Sequence, residues 1–349
     1  MDLHDLTKQL KSGISLSIDD IRIACDQLLD ISHSIELRAD FLQALRQKGE
    51  TPEEVAGFVE VLLGHAVPLP FSGAGCLDVC GTGGDRTGFF NISTTVMFVS
   101  AGAGARVVKH GNRGVSSKSG GADVLEALGV KIELSPEEAA QALDAAGCCF
   151  LFAAAFHPAF RSVVAVRQEL ARRGSTSVFN MIGPLMNPAR PSFQLAGVFD
   201  AALLPTYAKV FQKLGRQCAW AVHGTGPNDF RVDEVSPFGR TLVQGWSHGK
   251  PIETKINPAE LGISNIQAPE LVGGDATDNA KIILDILERR ETGARRSVVQ
   301  LNAAAALVVA GRATNMKDGW ELAGASIDDG KALHALQQLQ RITQGCGVA

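Results

Sequence analysis

A strong charge of one sign, a long apolar run and paired cysteines are all missing from this sequence, and each absence closes off a class of function. Lys and Arg number 33 against 37 Asp and Glu, a net charge of −4. A balance this even gives no electrostatic reason to expect nucleic acid or an anionic membrane as partner. The apolar stretch 148–156 is too short to span a bilayer. The start, Met1-Asp2-Leu3-His4, has no basic segment leading into an apolar one, so no secretory leader is expected. The seven cysteines are odd in number and scattered without a CxxC pair. That pattern fits reduced thiols in a cytoplasmic protein and argues against a disulfide framework or a zinc site. There is no GxxxxGK[ST] loop. Gly102-Ala103-Gly104 lacks the third glycine and the following acid of a dinucleotide fingerprint. Neither an internal repeat nor a low-complexity tract is found.

What is present is a soluble globular composition, 45% hydrophobic and 20% charged over 349 residues, enough for two subdomains. Residues 1–68 read as a helical domain. Ile21, Ala24, Leu28, Ile31 and Ile35 recur at helical spacing, as do Phe41, Leu42 and Leu45. Thr51-Pro52-Glu53-Glu54 is a capping box with proline at the first helical position. So small a domain must bury its apolar face elsewhere, on the main domain or on a second copy of the chain. A Pro- and Gly-rich linker around Pro68–Gly75 then gives way to apolar strands alternating with capped helices. Residues 69–349 therefore read as an α/β domain with a mostly parallel central sheet. Strands are expected at 150–152, 195–199 and 218–223. Helices are expected to open at Ser135-Pro136 and Asn257-Pro258, and to fill 280–287, 297–309 and 330–342.

The stretch from Leu77 to Val130 organises the rest. Two buried strands, 77–80 and 106–108, each break into a polar loop. The first, Gly81-Thr82-Gly83-Gly84-Asp85, suits close backbone approach to a ligand. Asn91-Ile92-Ser93-Thr94-Thr95 follows with capping-type side chains, placing a helix N-terminus beside that loop. The second, Lys109-His110-Gly111-Asn112-Arg113, continues into Ser116, Ser117, Lys118 and Ser119, with no acid before Asp123. Cations, hydroxyls and backbone amides in this concentration suit an anionic, oxygen-rich ligand such as a phosphorylated sugar.

GTGGD, NIST, KHGNR-x-VSSKSG and ADVLEALGV, in this order, resemble the anthranilate phosphoribosyltransferases. The resemblance continues through His157-Pro158-Ala159, Phe179-Asn180-x-x-Gly183-Pro184-Leu185-x-Asn187-Pro188, Asp233-Glu234-Val235-Ser236 and Asn302-Ala303-Ala304. It implies a nucleoside phosphorylase/phosphoribosyltransferase-like fold, and a homodimer formed through a dimerisation surface on the helical domain. The implied reaction moves the phosphoribosyl group of phosphoribosyl pyrophosphate to anthranilate, in tryptophan biosynthesis. The implied donor site comprises Gly81, Thr82, Gly84, Asp85, Asn91, Ile92, Ser93, Thr94, Lys109, His110, Gly111, Asn112, Arg113, Ser116, Ser117 and Gly121. Lys109 and Asn112 carry the catalytic assignment. Gly81, Asn112 and Arg173 are assigned to anthranilate, and Ser93, Asp233 and Glu234 to magnesium (Mg2+). Ser93 and Thr94 read equally as helix caps, and His110 as a structural histidine.

Four positions depart from the family pattern. Arg86 and Phe89 stand where glycine and a small hydroxyl residue are usual, and Gly121 replaces the serine of SGS. Thr176 falls where an arginine contacts the anthranilate carboxylate, although Arg172 and Arg173 stand just upstream. Residues 225–232 read as an insertion before the acid pair. Two alternatives stay open: a related phosphoribosyltransferase with a different aromatic acceptor, and a non-catalytic donor-binding paralogue; the full KHGNR-x-VSSKSG run argues against a third, a pyrimidine-nucleoside phosphorylase.

Overall fold

Side-chain caps set the N-terminal helices. The computed structural model describes residues 1–83, 87–114 and 118–345. Helices α1 (Leu3–Lys11), α2 (Ile18–Leu29), α3 (Ile35–Lys48) and α4 (Pro52–Leu63) each begin at a polar residue whose oxygen accepts a backbone N–H of the first turn. Ser17 with Asp20 and Thr51 with Glu54 form full capping boxes. Glu54, fully buried, also accepts from Lys48 Nζ at 2.7 Å and from the Leu16 amide at 2.9 Å. The cap of α4 thus holds the turn between α1 and α2 as well.

These helices belong to a unit made of Met1–Val67 and Ala154–Pro188. The linear division expected at residue 68 is therefore crossed by a second segment, which sequence periodicity did not reveal. Its helix Val164–Arg172 packs on α3. Buried Arg38 ties the two segments, donating to the Leu28 carbonyl at 3.2 Å and the Ser162 carbonyl at 3.0 Å. His157 is buried too, bonded through Nε2 to the Met186 carbonyl at 2.7 Å. Burial lowers its pKa, so the imidazole is a neutral donor holding the unit together.

The second unit, Pro68–Ala153 with Ala189–Ala349, is built on an eight-stranded sheet. Its strands are β1 (Cys76–Gly81), β2 (Arg106–Gly111), β3 (Cys148–Phe152), β4 (Phe193–Gly197), β5 (Cys218–Thr225), β6 (Arg231–Val232), β7 (Thr241–Ser247) and β8 (Lys250–Ile256). The order is β3-β2-β1-β4-β5-β7-β8, with β6 on β5. The first five are parallel; β6 and β7 run antiparallel to β5, and β8 to β7. The mostly parallel sheet is as expected, and the antiparallel extension is new. Its hairpin turn has His248 at φ 46° and Gly249 at φ 85°, the left-handed pair that a two-residue turn demands.

Chain order reverses beside β1: β2 lies on one side and β4 on the other. In open α/β sheets, ligands bind outside the carboxyl ends of the strands at such a switch point. Helix α5 (Ile92–Gly102) follows β1 and is buried nearly all round, against Met316–Asp328, Lys331–Thr343 and the alanine-rich Ala294–Val309. Three details differ from expectation. Strand β2 runs on through Lys109, His110 and Gly111, which were read as loop. The Asn257-Pro258 signature caps only a short 3-10 turn, Pro258–Leu261. Met316–Asp328 is a helix not foreseen, capped by Asn315.

Candidate active site

Two glycines at the switch point let a third segment lie across the strand ends. Gly81 ends β1 and Gly197 ends β4, and the two are paired in register. A Cβ on Gly197 would fall 1.5 Å from the Asp233 carbonyl oxygen, and one on Gly81 would meet Asp233 Oδ2 at 2.8 Å. The acid-bearing segment therefore rests on bare backbone, which only glycine permits. Asp233, largely buried, accepts the Gly83 amide on Oδ2 at 2.7 Å. Thr82 bonds the exit of β4 in both directions, from its amide to the Gly197 carbonyl at 2.9 Å and from the Phe199 amide to its hydroxyl at 3.1 Å. The first glycine-rich loop, the exit of β4 and the acid pair are thus one assembly.

Asn302 fixes the other side of that assembly. Its amide group accepts the Val235 N–H at 2.8 Å and donates to the Val235 carbonyl at 3.0 Å, clamping the residue after Glu234 as a strand partner would. Ser93, Glu234, Cys80, Gly197 and Asn302 line one cavity of about 10 Å³, roughly the room of a single water. Ser93 sits in the first turn of α5 and accepts Lys109 Nζ at 3.2 Å; the same ammonium donates to the Val79 carbonyl. Lys109 is 4% exposed. Below it, buried Asp78 accepts the His110 amide at 3.2 Å, coupling β1 to β2.

Not every expected residue plays its expected part. Asn91 stands at the N-cap position of α5 but makes no cap bond with its side chain. That side chain reaches the Ser119 carbonyl at 3.2 Å and takes Asn279 Nδ2 at 2.9 Å, joining the start of α5 and Ser119 to the helix Ala276–Leu287. Ile92 is buried at the start of α5, and so is Thr94, whose hydroxyl a Cβ on Gly121 would meet at 3.3 Å. Gly111 is held by Phe150, 2.9 Å from where its Cβ would lie. Asn112 is exposed and accepts the Arg113 amide. The Arg113 guanidinium pairs with Asp123 and Glu126 of α6 (Gly121–Ala127) and lies 5.6 Å over the Phe152 ring. Those acids hold it firmly charged. Gly84, Asp85, Arg86, Ser116 and Ser117 lie outside the described residues.

Arg173 belongs to the helical unit, closing the helix Val164–Arg172. It donates to Glu169 at 2.7 Å, Asp40 at 2.6 Å and Gln43 at 3.2 Å. With Arg172 it holds the Glu169 carboxyl down at about 2. Thr176 is exposed in the turn beyond. Sequence reasoning missed Gly197, Asp78 and Asn279. Gly197 carried a weak signal, a glycine closing an apolar strand; the others look like ordinary polar residues until the chain is folded.

Residues 73–333 match the glycosyl transferase family, a/b domain, and residues 4–66 its helical bundle domain. The anthranilate phosphoribosyltransferase of Anaeromyxobacter dehalogenans (strain 2CP-C) is 46% identical, covering 97% of this chain and 98% of that one. The chain belongs to the anthranilate phosphoribosyltransferase family. The crystal structure of the Thermus thermophilus enzyme superposes with a TM-score of 0.88 at 34% identity, covering 98% of this chain and all of that one. The Saccharomyces cerevisiae enzyme in complex with PRPP and Mg gives 0.86 at 26% identity, covering 98% of both. The fold agrees with that expected from the motifs, a helical bundle domain with a larger α/β domain.

Proposed function

We propose that this chain transfers the phosphoribosyl group of phosphoribosyl pyrophosphate to anthranilate, releasing pyrophosphate, in tryptophan biosynthesis. The observation that carries the reading is the seating of Asp233 on Gly81 and Gly197, with the Gly83 amide on its carboxylate. This arrangement joins an anion-binding loop to an acid pair at the switch point. The anthranilate nitrogen forms a bond to ribose C1 as the C1–oxygen bond to pyrophosphate breaks, and the amine proton leaves to solvent. Positive charge grows on the sugar and negative charge on the leaving group, so fixed donors and alignment matter more than a strong base.

Ser93, Asp233 and Glu234 fit magnesium by the chemistry of their donors, a hydroxyl and two carboxylates. Among the described residues no group of three or more His, Cys, Asp or Glu could hold a metal alone. A site completed by phosphate oxygens and water is what this small hard cation prefers. When bound, it neutralises charge on the departing pyrophosphate. The donor loops carry the remaining contacts assigned to phosphoribosyl pyrophosphate, with Lys109 as the pyrophosphate cation and Asn112 beside the acceptor. Lys109→Ala is expected to weaken donor binding by about 2–4 kcal/mol, because it strips a buried ammonium from the Ser93 hydroxyl and the anion together. Calorimetric titration of the donor checks this, and normal donor affinity would remove Lys109 from the site.

For the acceptor carboxylate, Arg173 is the proposed partner. Its Asp40 contact is 54% exposed on the acid side, and so exposed a pair gives way at little cost. Glu169 holds the guanidinium through Nε at 2.7 Å. Arg173→Ala should raise the anthranilate KM about tenfold, the worth of one charged hydrogen bond. Arg172→Ala, at an outward residue, should not. Steady-state kinetics with anthranilate varied distinguishes the two, and an unchanged KM in Arg173→Ala contradicts the contact.

We further propose a homodimer formed through the helical unit, where Ile14, Ile18 and Ile31 are exposed at 57%, 45% and 78%. A cytoplasmic location suits the six described cysteines, all free. No helix among the described residues is long and apolar enough to cross a membrane. Light scattering at micromolar concentration tests the dimer; a monomer mass would refute it.

A further inference from the structure

Three aromatic rings that phosphoribosyl transfer does not call on meet one another, two of them carried by residues that flank the acid pair in the chain. Phe89 stands just ahead of Ser93 in the chain, Phe230 just ahead of Asp233, and Phe238 just after Glu234. Ring centroids lie 6.0 Å apart for Phe89 and Phe230, 5.9 Å for Phe89 and Phe238, and 5.5 Å for Phe230 and Phe238. The triangle is closed, and its tilted and edge-on geometries are those that aromatic pairs favour. Each ring is only part-buried, so the cluster is not part of the hydrophobic core.

Two departures from the family pattern, Phe89 and the insertion 225–232, are therefore one feature: the inserted segment supplies the ring that covers Phe89. Hydrogen bonds brace both sides of it. The Gly226 amide donates to the Phe230 carbonyl at 2.8 Å, and Ser236 Oγ joins the Thr225 carbonyl to the Phe238 amide. On the other side, Phe89 forms an antiparallel bridge with Val272, and the Gly273 amide donates to the Gly88 carbonyl at 2.9 Å. The segment leading into Ser93 is thus anchored independently, and rings flanking both ends of the acid pair close on it.

We propose that Phe89, Phe230 and Phe238 form an aromatic clasp that positions Asp233 and Glu234 against Ser93 for magnesium-dependent donor binding. They are positioning residues, and the role rests on the magnesium reading of those three ligands. A ring cluster that served stability alone would change the melting temperature and leave metal dependence untouched.

The test uses the full chain and its Phe230→Ala and Phe230→Leu variants. Calorimetry measures phosphoribosyl pyrophosphate binding across a magnesium titration, alongside melting temperature and kcat. Phe230→Ala loses two ring pairs, so its magnesium half-saturation and donor KM should rise about tenfold, with kcat at saturation changed less than about threefold. Phe230→Leu, which refills the space, should recover most of the shift. If Phe230→Ala does not fold, Phe89→Leu should still shift magnesium half-saturation about threefold. A wild-type protein that needs magnesium, with variants that lose melting temperature but keep wild-type half-saturation, overturns the clasp alone. Donor binding by the wild type that ignores magnesium overturns the clasp and the metal reading together.

Discussion

Gly197→Ala is expected to lower kcat/KM by at least about 100-fold, because a misplacement of about 1 Å at reacting groups is enough for that loss. The added methyl would sit 1.5 Å from the Asp233 carbonyl oxygen and 2.3 Å from its carbon. Both are backbone atoms, so no rotamer change relieves the clash. Either the end of β4 or the acid-bearing segment must move, and Gly83, whose amide bonds Asp233, moves with it. Gly245→Ala is the control. Its methyl would also strike backbone, 2.1 Å from the Ala219 carbonyl oxygen, but on β7. It should lower the melting temperature while the protein that remains folded keeps its kcat/KM. Comparable activity losses in the two variants would show that Gly197 matters only to the sheet.

Replacing Asp233 and Glu234 together with alanine should abolish measurable turnover and leave donor binding indifferent to magnesium. Glu234 lines the cavity with Ser93, and Asp233 accepts the Gly83 amide of the first glycine-rich loop. The fold should survive, because Asn302 holds the neighbouring Val235 through its backbone and not through either acid. Asp233→Asn separates the two duties of that residue. It keeps an oxygen for the Gly83 amide and loses the charge, so it should retain more donor affinity than Asp233→Ala. Full activity in the double alanine variant, measured with magnesium varied, would dismiss the acid pair as solvated surface.

What the sequence disclosed follows the physics of each signal. Capping boxes such as Thr51 with Glu54 are local, and they folded as read. The buried parallel strands were visible as short apolar runs between glycine-rich loops. Strands β7 and β8 were not, because their mixed polar and apolar residues suit an edge hairpin, and the cue lay in two turn residues, His248 and Gly249. Asn91 looked like a cap by residue type, yet its side chain was drawn off by Ser119 and Asn279, long-range partners that no local rule can anticipate. The return of Ala154–Pro188 to the helical unit is likewise a tertiary fact. Around the candidate site, the motifs were visible in the sequence and the contacts that join them were not. Gly197, Asp78 and Asn279 act through contacts far apart in sequence.

The most direct measurement is turnover of the purified chain with phosphoribosyl pyrophosphate, anthranilate and magnesium, following loss of anthranilate fluorescence and appearance of pyrophosphate. The account predicts equal amounts of anthranilate consumed and pyrophosphate released, dependent on all three components. A chain that binds the donor but consumes no anthranilate, releasing pyrophosphate only with another aromatic amine or not at all, would contradict it.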